Sequence, residues 1–236
     1  MTHIGILTAL QPEAASLVRK PEVDTLITLS DRATLLVCGM GALRARRGAE
    51  RLLANGARAL ISLGMAGALA DHVGTGDVII PELIVGEGNR EHETDPAWRV
   101  AATAAMSSRG IPVHGGSLFH SEQIVRRATD KQALHRATGA LAVDMESAAM
   151  LEVAAGNNIP SLVLRVIIDP ADMIIPDFII NHSDDYGQPR LAGLMLSLLK
   201  RPGRLPHLLR LARRYRAAVG QLRRLGEDLD VLNPLP

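Results

Sequence analysis

Residues 164–170 read Leu-Arg-Val-Ile-Ile-Asp-Pro, an apolar run that ends in a carboxylate and a proline. Branched apolar residues in such a run indicate a buried strand, which we predict over 161–168. Pro170 disfavours a helical conformation of Asp169, so the acid stays extended at the C-terminal end of the strand. Open α/β sheets build their active sites at this end. Asp169 is therefore a candidate catalytic residue.

Strands and helices alternate along the chain, which predicts the α/β class. Near-continuously apolar strands indicate a largely parallel sheet covered by helices on both faces. Residues 170–190 show no period and are predicted to be loop. The predicted strands are 4–8, 35–38, 59–63, 77–85, 111–118, 140–144 and 161–168, and the predicted helices are 12–19, 43–55, 97–108 and 146–155.

The composition favours one soluble domain and argues against several other classes. The 236 residues are 47% hydrophobic, enough for one core, and the net charge of +1 gives no case for nucleic-acid binding. The single cysteine, Cys38, excludes a disulfide framework, and no Cys/His spacing suggests a metal site. Without a signal peptide or a long apolar run, we expect a cytoplasmic protein.

Two further acids and two glycine loops stand at predicted strand ends. Glu13 follows the first strand, and Glu146 follows the strand at 140–143. Residues 39–41 (Gly-Met-Gly) and 64–67 (Gly-Met-Ala-Gly) let backbone N–H groups approach a ligand closely. A dinucleotide fingerprint would need glycine where Arg44 stands, so a nicotinamide enzyme is disfavoured.

Taken in order, these segments resemble the purine nucleoside phosphorylase and methylthioadenosine/S-adenosylhomocysteine nucleosidase superfamily over about residues 3–172. Within it, the chain looks most like the hopanoid-associated phosphorylases. The superfamily landmarks are residues 4–6, 12–13, 39–41, 61–67, 76–78, 143–149 and 165–169, and the narrower likeness rests on 141–147, 169–172 and 199–206.

The resemblance implies a fold and an activity. The fold would be a single-domain three-layer sandwich with a mostly parallel mixed sheet, a catalytic domain over 1–199 and a helical extension over 200–236. The activity would be adenine release from a 5′-substituted adenine nucleoside, adenosylhopane above all, with phosphate or water as nucleophile. A homo-oligomer without cofactor is expected. The alternatives are a methylthioadenosine/S-adenosylhomocysteine nucleosidase and a non-catalytic nucleoside- or lipid-binding protein.

The three acids take distinct roles by resemblance. Asp169 would protonate N7 of the departing purine, and Glu146 would accept hydrogen bonds from the ribose 2′- and 3′-hydroxyls, with Met145 packing on the sugar. Glu13 would activate water. The alternatives are structural: Asp169 as a turn cap, Met145 as core, and Glu13 and Glu146 as acids that favour a helix start.

The remaining predicted contacts concern purine and phosphate. Gly41 and Arg44 are candidate phosphate donors, although Arg44 also fits a solvated helix face. Met65 and Ile168 stand where many family members carry hydroxyl side chains, which makes the pocket more apolar. The residues assigned to the substrate are Gly64, Met65, Ala66, Gly67, Val125 and Ile168, beside Met145 and Glu146.

The tail carries nine Lys or Arg and no acid over residues 200–224, with apolar residues at helical spacing. This pattern predicts a basic amphipathic helix beginning near Pro206. Its apolar side could pack on the domain, with the arginines solvated. Alternatively, residues 206–224 could bind an anionic membrane surface, which would suit a lipid-linked nucleoside and a peripheral location at the inner membrane.

Overall fold

The computed structural model describes residues 2–88, 90–175, 184–188, 203 and 205–226, and all the elements named next lie within these ranges. The strands are β1 (Ile4–Thr8), β2 (Leu26–Ser30), β3 (Ala33–Val37), β4 (Ala59–Ala68), β5 (Val78–Ile79), β6 (Leu83–Val85), β7 (Glu91–Glu93), β8 (Val113–His114), β9 (Ser117–His120), β10 (Ala142–Asp144) and β11 (Ser161–Asp169). The helices are α1 (Gln11–Ala14), α2 (Ala42–Ala54), α3 (Pro96–Ser107), α4 (Ala128–Thr138), α5 (Ser147–Gly156) and α6 (Leu205–Gly226).

All eleven strands belong to one mixed sheet in which parallel pairs predominate. Its main path runs β2-β3-β1-β4-β10-β9-β6-β7, while β11 pairs with β4 and β5, and β5 pairs with β8. The β4 strand is the centre, because it lies parallel to β1 and β11 and its last residues turn antiparallel to β10. This arrangement confirms the predicted α/β class and the mostly parallel mixed sheet.

Helices cover both faces of the sheet, so the domain has three layers. On one face α2 and α5 pack against apolar residues of β1, β4 and β11. On the other face, α3 contributes Trp98 and α6 contributes Ala218, Leu222 and Leu225 to a second core. Each layer buries apolar side chains that would otherwise be exposed to water, which is the main source of stability for such folds.

Three predicted elements differ from the observed ones. The strand at 77–85 is interrupted by Pro81, which cannot donate to a ladder, and becomes β5 and β6. The strand at 111–118 is interrupted where Gly116 has a φ of 90°, so β8 and β9 follow separate paths. The helix at 12–19 ends at Ala14. The β2, β7 and α4 elements were not predicted.

The C-terminal helix α6 begins at Leu205, close to the predicted start. Ala218, Leu222 and Leu225 are buried, and Gly226 lies against the backbone of Ser16. The domain boundary predicted at 199/200 lies outside the described residues. The described part of the predicted loop at 170–190, residues 170–175 and 184–188, contains no helix or strand. No described helix is both long and apolar enough to cross a membrane.

Candidate active site

A cavity of about 260 Å³ opens at the C-terminal ends of β1, β10 and β11, beside the second half of β4. Its wall is mostly apolar, and four carboxyl-bearing residues line it, namely Glu13, Asp144, Glu146 and Asp169. The predicted site residues that line it are Glu13, Met65, Ala66, Gly67, Val125, Met145, Glu146, Ile168 and Asp169. The sheet therefore brings together nine residues that the sequence assigned to one site.

Asp169 ends β11 and is only 4% exposed. A side chain at Gly67 would approach its carboxylate, since a Cβ there would lie 3.1 Å from Oδ2, so glycine makes room for the acid. On the other side, the Lys131 ammonium group donates to Oδ2. Burial raises the pKa of Asp169, while Lys131 acts in the opposite direction. A raised pKa suits a group that must donate a proton near neutral pH.

Glu13 also lines the cavity and is held by backbone amides. Its Oε2 accepts from Ala9 N at 3.1 Å and Leu10 N at 2.9 Å, and its Oε1 accepts from Met65 N at 2.8 Å. Gly64 lies under this carboxylate, where a Cβ would come within 2.8 Å of Oε1. Burial raises the pKa of Glu13 despite these hydrogen bonds, as expected for a general base.

Glu146 is the residue that precedes α5, and it lines the same cavity. Gly41 N donates to its Oε1 at 2.8 Å, with Gly41 itself at a φ of 99°. Burial, followed by the nearby charge of Asp144, raises the pKa of Glu146 to about 7, although Arg165 opposes the shift. The carboxylate is therefore close to its titration midpoint at neutral pH.

A buried charged network that the sequence analysis missed lies behind Glu146. Arg165, in the middle of β11, donates from Nε to Asp144 Oδ2 at 2.8 Å and from Nη2 to Ser62 Oγ at 2.7 Å. Burial opposes the charge of Asp144, but Arg165, His120 and Ser147 together outweigh burial and hold the Asp144 pKa at about 2. Asp144 in turn raises the pKa of His120, although burial acts against the charged imidazole. An arginine inside an apolar strand was the signal for this network.

The two predicted phosphate donors, Gly41 and Arg44, and a further amide at the site, Met65 N, are engaged by acids of the protein. Arg44 Nη2 contacts Asp185 Oδ2 at 2.6 Å at the surface and does not line the cavity. Gly41 N is bonded to Glu146, and Met65 N is bonded to Glu13. The structure thus places Gly41 at the site and Arg44 outside it. The placement of Arg44 agrees with its alternative interpretation, as an arginine on a solvated helix face.

Several apolar side chains of the cavity were not predicted. Leu10, Met40 and Ile175 join Met65, Val125 and Ile168 in its wall, and Ile124, the neighbour of Val125, lines it too. Leu10 and Met40 lie shortly after the ends of β1 and β3, so strand-end position was the available signal. Among the described residues, no three His, Cys, Asp or Glu side chains converge as a metal site requires.

The comparisons with known proteins agree with this geometry. A family model, described as the phosphorylase superfamily, matches residues 3–188. A Helicobacter pylori methylthioadenosine/S-adenosylhomocysteine nucleosidase mutant with 5′-methylthioadenosine in its active site has a TM-score of 0.69 at 18% identity, over 100% of both chains.

Two other solved structures have the same fold. A putative nucleosidase of the same kind from Francisella philomiragia has a TM-score of 0.66 and 23% identity over 85% of this chain and 100% of its own. The H. pylori futalosine hydrolase has a TM-score of 0.64 and 22% identity over 72% and 86%, respectively. The chain therefore belongs to the phosphorylase superfamily, which confirms the expected class of enzyme, a nucleoside phosphorylase or nucleosidase.

Proposed function

We propose that this protein cleaves the N-glycosidic bond of a 5′-substituted adenine nucleoside and releases adenine. The observation that carries the proposal is the convergence of three buried acids, Glu13, Glu146 and Asp169, on one apolar cavity. Asp169 protonates N7 of the leaving purine, because negative charge moves into the ring as the bond breaks. Glu146, when ionised, accepts the two ribose hydroxyls. No metal or cofactor is needed for these steps.

Water is the nucleophile that this site favours. Phosphate needs several free donors, and Gly41 N and Met65 N already donate to Glu146 and Glu13. An ionised Glu13 would repel a phosphate anion, whereas the same carboxylate can accept a proton from an attacking water. The raised pKa of Glu13 supports this role. We therefore propose hydrolysis, with phosphorolysis as the alternative that the narrower family resemblance suggested.

The apolar wall supports a large apolar group at the 5′ position. Leu10, Met40 and Ile175 offer no hydrogen-bonding side chains, so the affinity of this part of the site comes from apolar area. Together with the resemblance to hopanoid-associated phosphorylases, this favours adenosylhopane as the substrate. Methylthioadenosine or S-adenosylhomocysteine is the second candidate, favoured by the neighbour whose active site holds 5′-methylthioadenosine.

A membrane surface and a second copy of the chain are the partners we propose. The arginines Arg210, Arg213 and Arg216 are exposed on α6, near Leu205 and Leu209, which are 48% and 53% exposed. Such a surface suits peripheral attachment to an anionic bilayer in the cytoplasm. A non-catalytic binding protein is disfavoured, because buried acids without a chemical role would only reduce stability.

The test is adenine release from adenosine derivatives whose 5′-thioether chain grows from methyl to long alkyl. We expect kcat/KM to rise with chain length, since each buried methylene contributes about 0.8 kcal/mol, or roughly fourfold. Met40→Ser should flatten this series without changing the reaction. Adenine release that is fastest for methylthioadenosine would favour the second candidate, and no adenine release from any member would refute the proposed function.

A further inference from the structure

Lys131 lies directly behind Asp169 and has no solvent-exposed side-chain surface. Its ammonium group donates to Asp169 Oδ2, to the Pro170 carbonyl at 3.0 Å and to the Met173 carbonyl at 3.4 Å. The three N–H bonds of the ammonium group therefore all have acceptors. Lys131 does not line the cavity, so it can act on a substrate only through Asp169.

The two oxygens of Asp169 have different surroundings. Lys131 is the side chain that hydrogen-bonds this carboxylate within the described part of the chain, and it engages Oδ2. Oδ1 remains for a ligand in the cavity, which Asp169 lines. A purine N7 at Oδ1 and an ammonium group at Oδ2 would stand at opposite ends of one carboxyl group. This geometry allows a proton to enter at one oxygen while another leaves from the other.

The charges facing Asp169 come from two helices. Lys131 belongs to α4, and Arg214 of α6, whose Nη1 contacts Met173 Sδ at 2.6 Å, adds a weaker influence. Burial disfavours both the carboxylate and the ammonium group, and transfer of one proton from Lys131 to Asp169 neutralises both. The pair can thus hold its proton on either partner without a net buried charge, and once the purine has taken the proton the carboxylate stands beside a neutral amine until the proton is restored.

We propose that Lys131 is a positioning residue that supplies, through Asp169, the proton taken up by the leaving purine. This inference rests on the proposed function. As the bond from C1′ to N9 breaks, its electron pair moves into the purine, and N7 takes a proton from Asp169 Oδ1. Asp169 Oδ2 takes a proton from Lys131, which becomes a neutral amine. Water restores that proton once adenine has left.

The first experiment compares two leaving groups in Lys131→Met. Adenine release needs the proton, whereas 4-nitrophenolate leaves a riboside without one. We expect adenine release at pH 8 to fall at least about tenfold, while 4-nitrophenyl riboside cleavage stays within about twofold. Gln132→Met, an exposed neighbour on α4, is the matched control and should change neither rate. Equal loss with both substrates would mean that Lys131 only holds the turn at 170–173.

The pH profile separates proton supply from a structural role. Without Lys131, Asp169 alone must carry the proton, so adenine release by Lys131→Met should recover as the pH falls and decline at lower pH than in the wild type. We expect the alkaline limb to move down by about one pH unit or more. A uniform loss at every pH, with this limb unmoved, would contradict the proposal.

Lys131→Arg keeps the ion pair and so serves if Lys131→Met does not fold. A guanidinium group does not surrender its proton, so this variant should lose adenine release at every pH and keep nitrophenyl riboside cleavage. Near-normal adenine release would show that only the charge matters and would refute the relay. A wild-type protein that releases no adenine would instead overturn the proposed function, and this inference with it.

Discussion

Two buried ion pairs lie beneath the cavity, and they differ in what each partner can still do. In the pair of Asp144 and Arg165, the arginine is also bonded to Ser62 and Ser147, and the acid to Ser147. In the pair of Asp169 and Lys131, the acid reaches the cavity, and among the described residues the other partners of the lysine are backbone oxygens. We call Asp144–Arg165 the closed pair, because its polar groups are bonded to each other and to neighbouring serines. We call Asp169–Lys131 the open pair, because one oxygen of Asp169 is left for a ligand.

The difference indicates how one strand, β11, supplies both a residue that supports the fold and a residue that takes part in the reaction. Arg165 and Asp169 lie four residues apart on β11, yet the Asp144 pKa falls to about 2 while the Asp169 pKa rises. An acid held at a low pKa stays charged and fixes its neighbours. An acid with a raised pKa keeps its proton to a higher pH than a free aspartate does, which suits a proton donor. We therefore expect mutations in the first pair to affect folding and those in the second to affect turnover.

The largest expected effect is on stability, from breaking the closed pair. Arg165→Met leaves Asp144 buried without its counter-ion, which should lower the free energy of unfolding by about 3–5 kcal/mol. Urea denaturation followed by circular dichroism measures this loss, with the exposed Arg136→Met as the matched control. A loss no greater than that of the control would show that the network does not support the fold.

The second effect is on catalysis, from the open pair. Asp169→Asn keeps the shape of the side chain but cannot deliver a full proton, so adenine release should fall about a hundredfold, roughly 3 kcal/mol in the barrier. The same urea measurement should show a smaller stability change than for Arg165→Met. Retention of near-normal adenine release would remove Asp169 from the mechanism.

The third effect concerns Glu146, whose pKa is raised to about 7 by burial and by Asp144 of the first pair. Riboside cleavage should rise with pH through about 7, because only the ionised carboxylate accepts both ribose hydroxyls. The free energy of unfolding should fall as the pH rises. A raised carboxyl pKa in the folded state gives stability that is present at low pH and is lost as the pH rises through about 7.

Glu146→Gln tests both trends. Above pH 7 the variant should unfold at higher urea concentration than the wild type, while it discriminates less between ribosides and 2′-deoxyribosides. Rates and urea midpoints measured from pH 5 to 9 supply the comparison. Wild-type rates on ribosides that do not change across this range would contradict the assigned role of Glu146.

The smallest effect concerns the exposed basic surface of α6. Replacing Arg210, Arg213 and Arg216 by Gln should weaken salt-sensitive binding to anionic vesicles, with each arginine contributing about 1 kcal/mol. Arg214 is left intact because it contacts Met173 near Asp169. Turnover of a soluble short-chain substrate should stay unchanged. Undiminished vesicle binding by the triple variant would contradict the hypothesis that these arginines bind an anionic membrane surface.

Much of the site follows from local sequence. Asp169, Glu146 and Glu13 each follow an apolar run, and parallel strands bring such ends to one edge of a sheet. Lys131 was missed because α4 was not predicted, although Gly139, at a φ of 69°, marks its C-terminus. The contact of Lys131 with Asp169 joins residues far apart in the chain, so no periodicity reports it. The interruptions of the predicted strands at Gly116 and Pro81 could have been predicted, because glycine and proline at these positions are local signals for a break in a strand.

The measurement that tests the central claim most directly is the identity of the sugar product. Purified protein is incubated with a 5′-alkylthioadenosine, with and without phosphate, while adenine is quantified and the mixture is followed by ³¹P NMR. If Glu13 activates water and Asp169 protonates the purine, adenine release is independent of phosphate and the product is a free 5-alkylthioribose. Phosphate-dependent release with a ribose 1-phosphate signal would contradict hydrolysis, and the absence of adenine would contradict N-glycosidic cleavage itself.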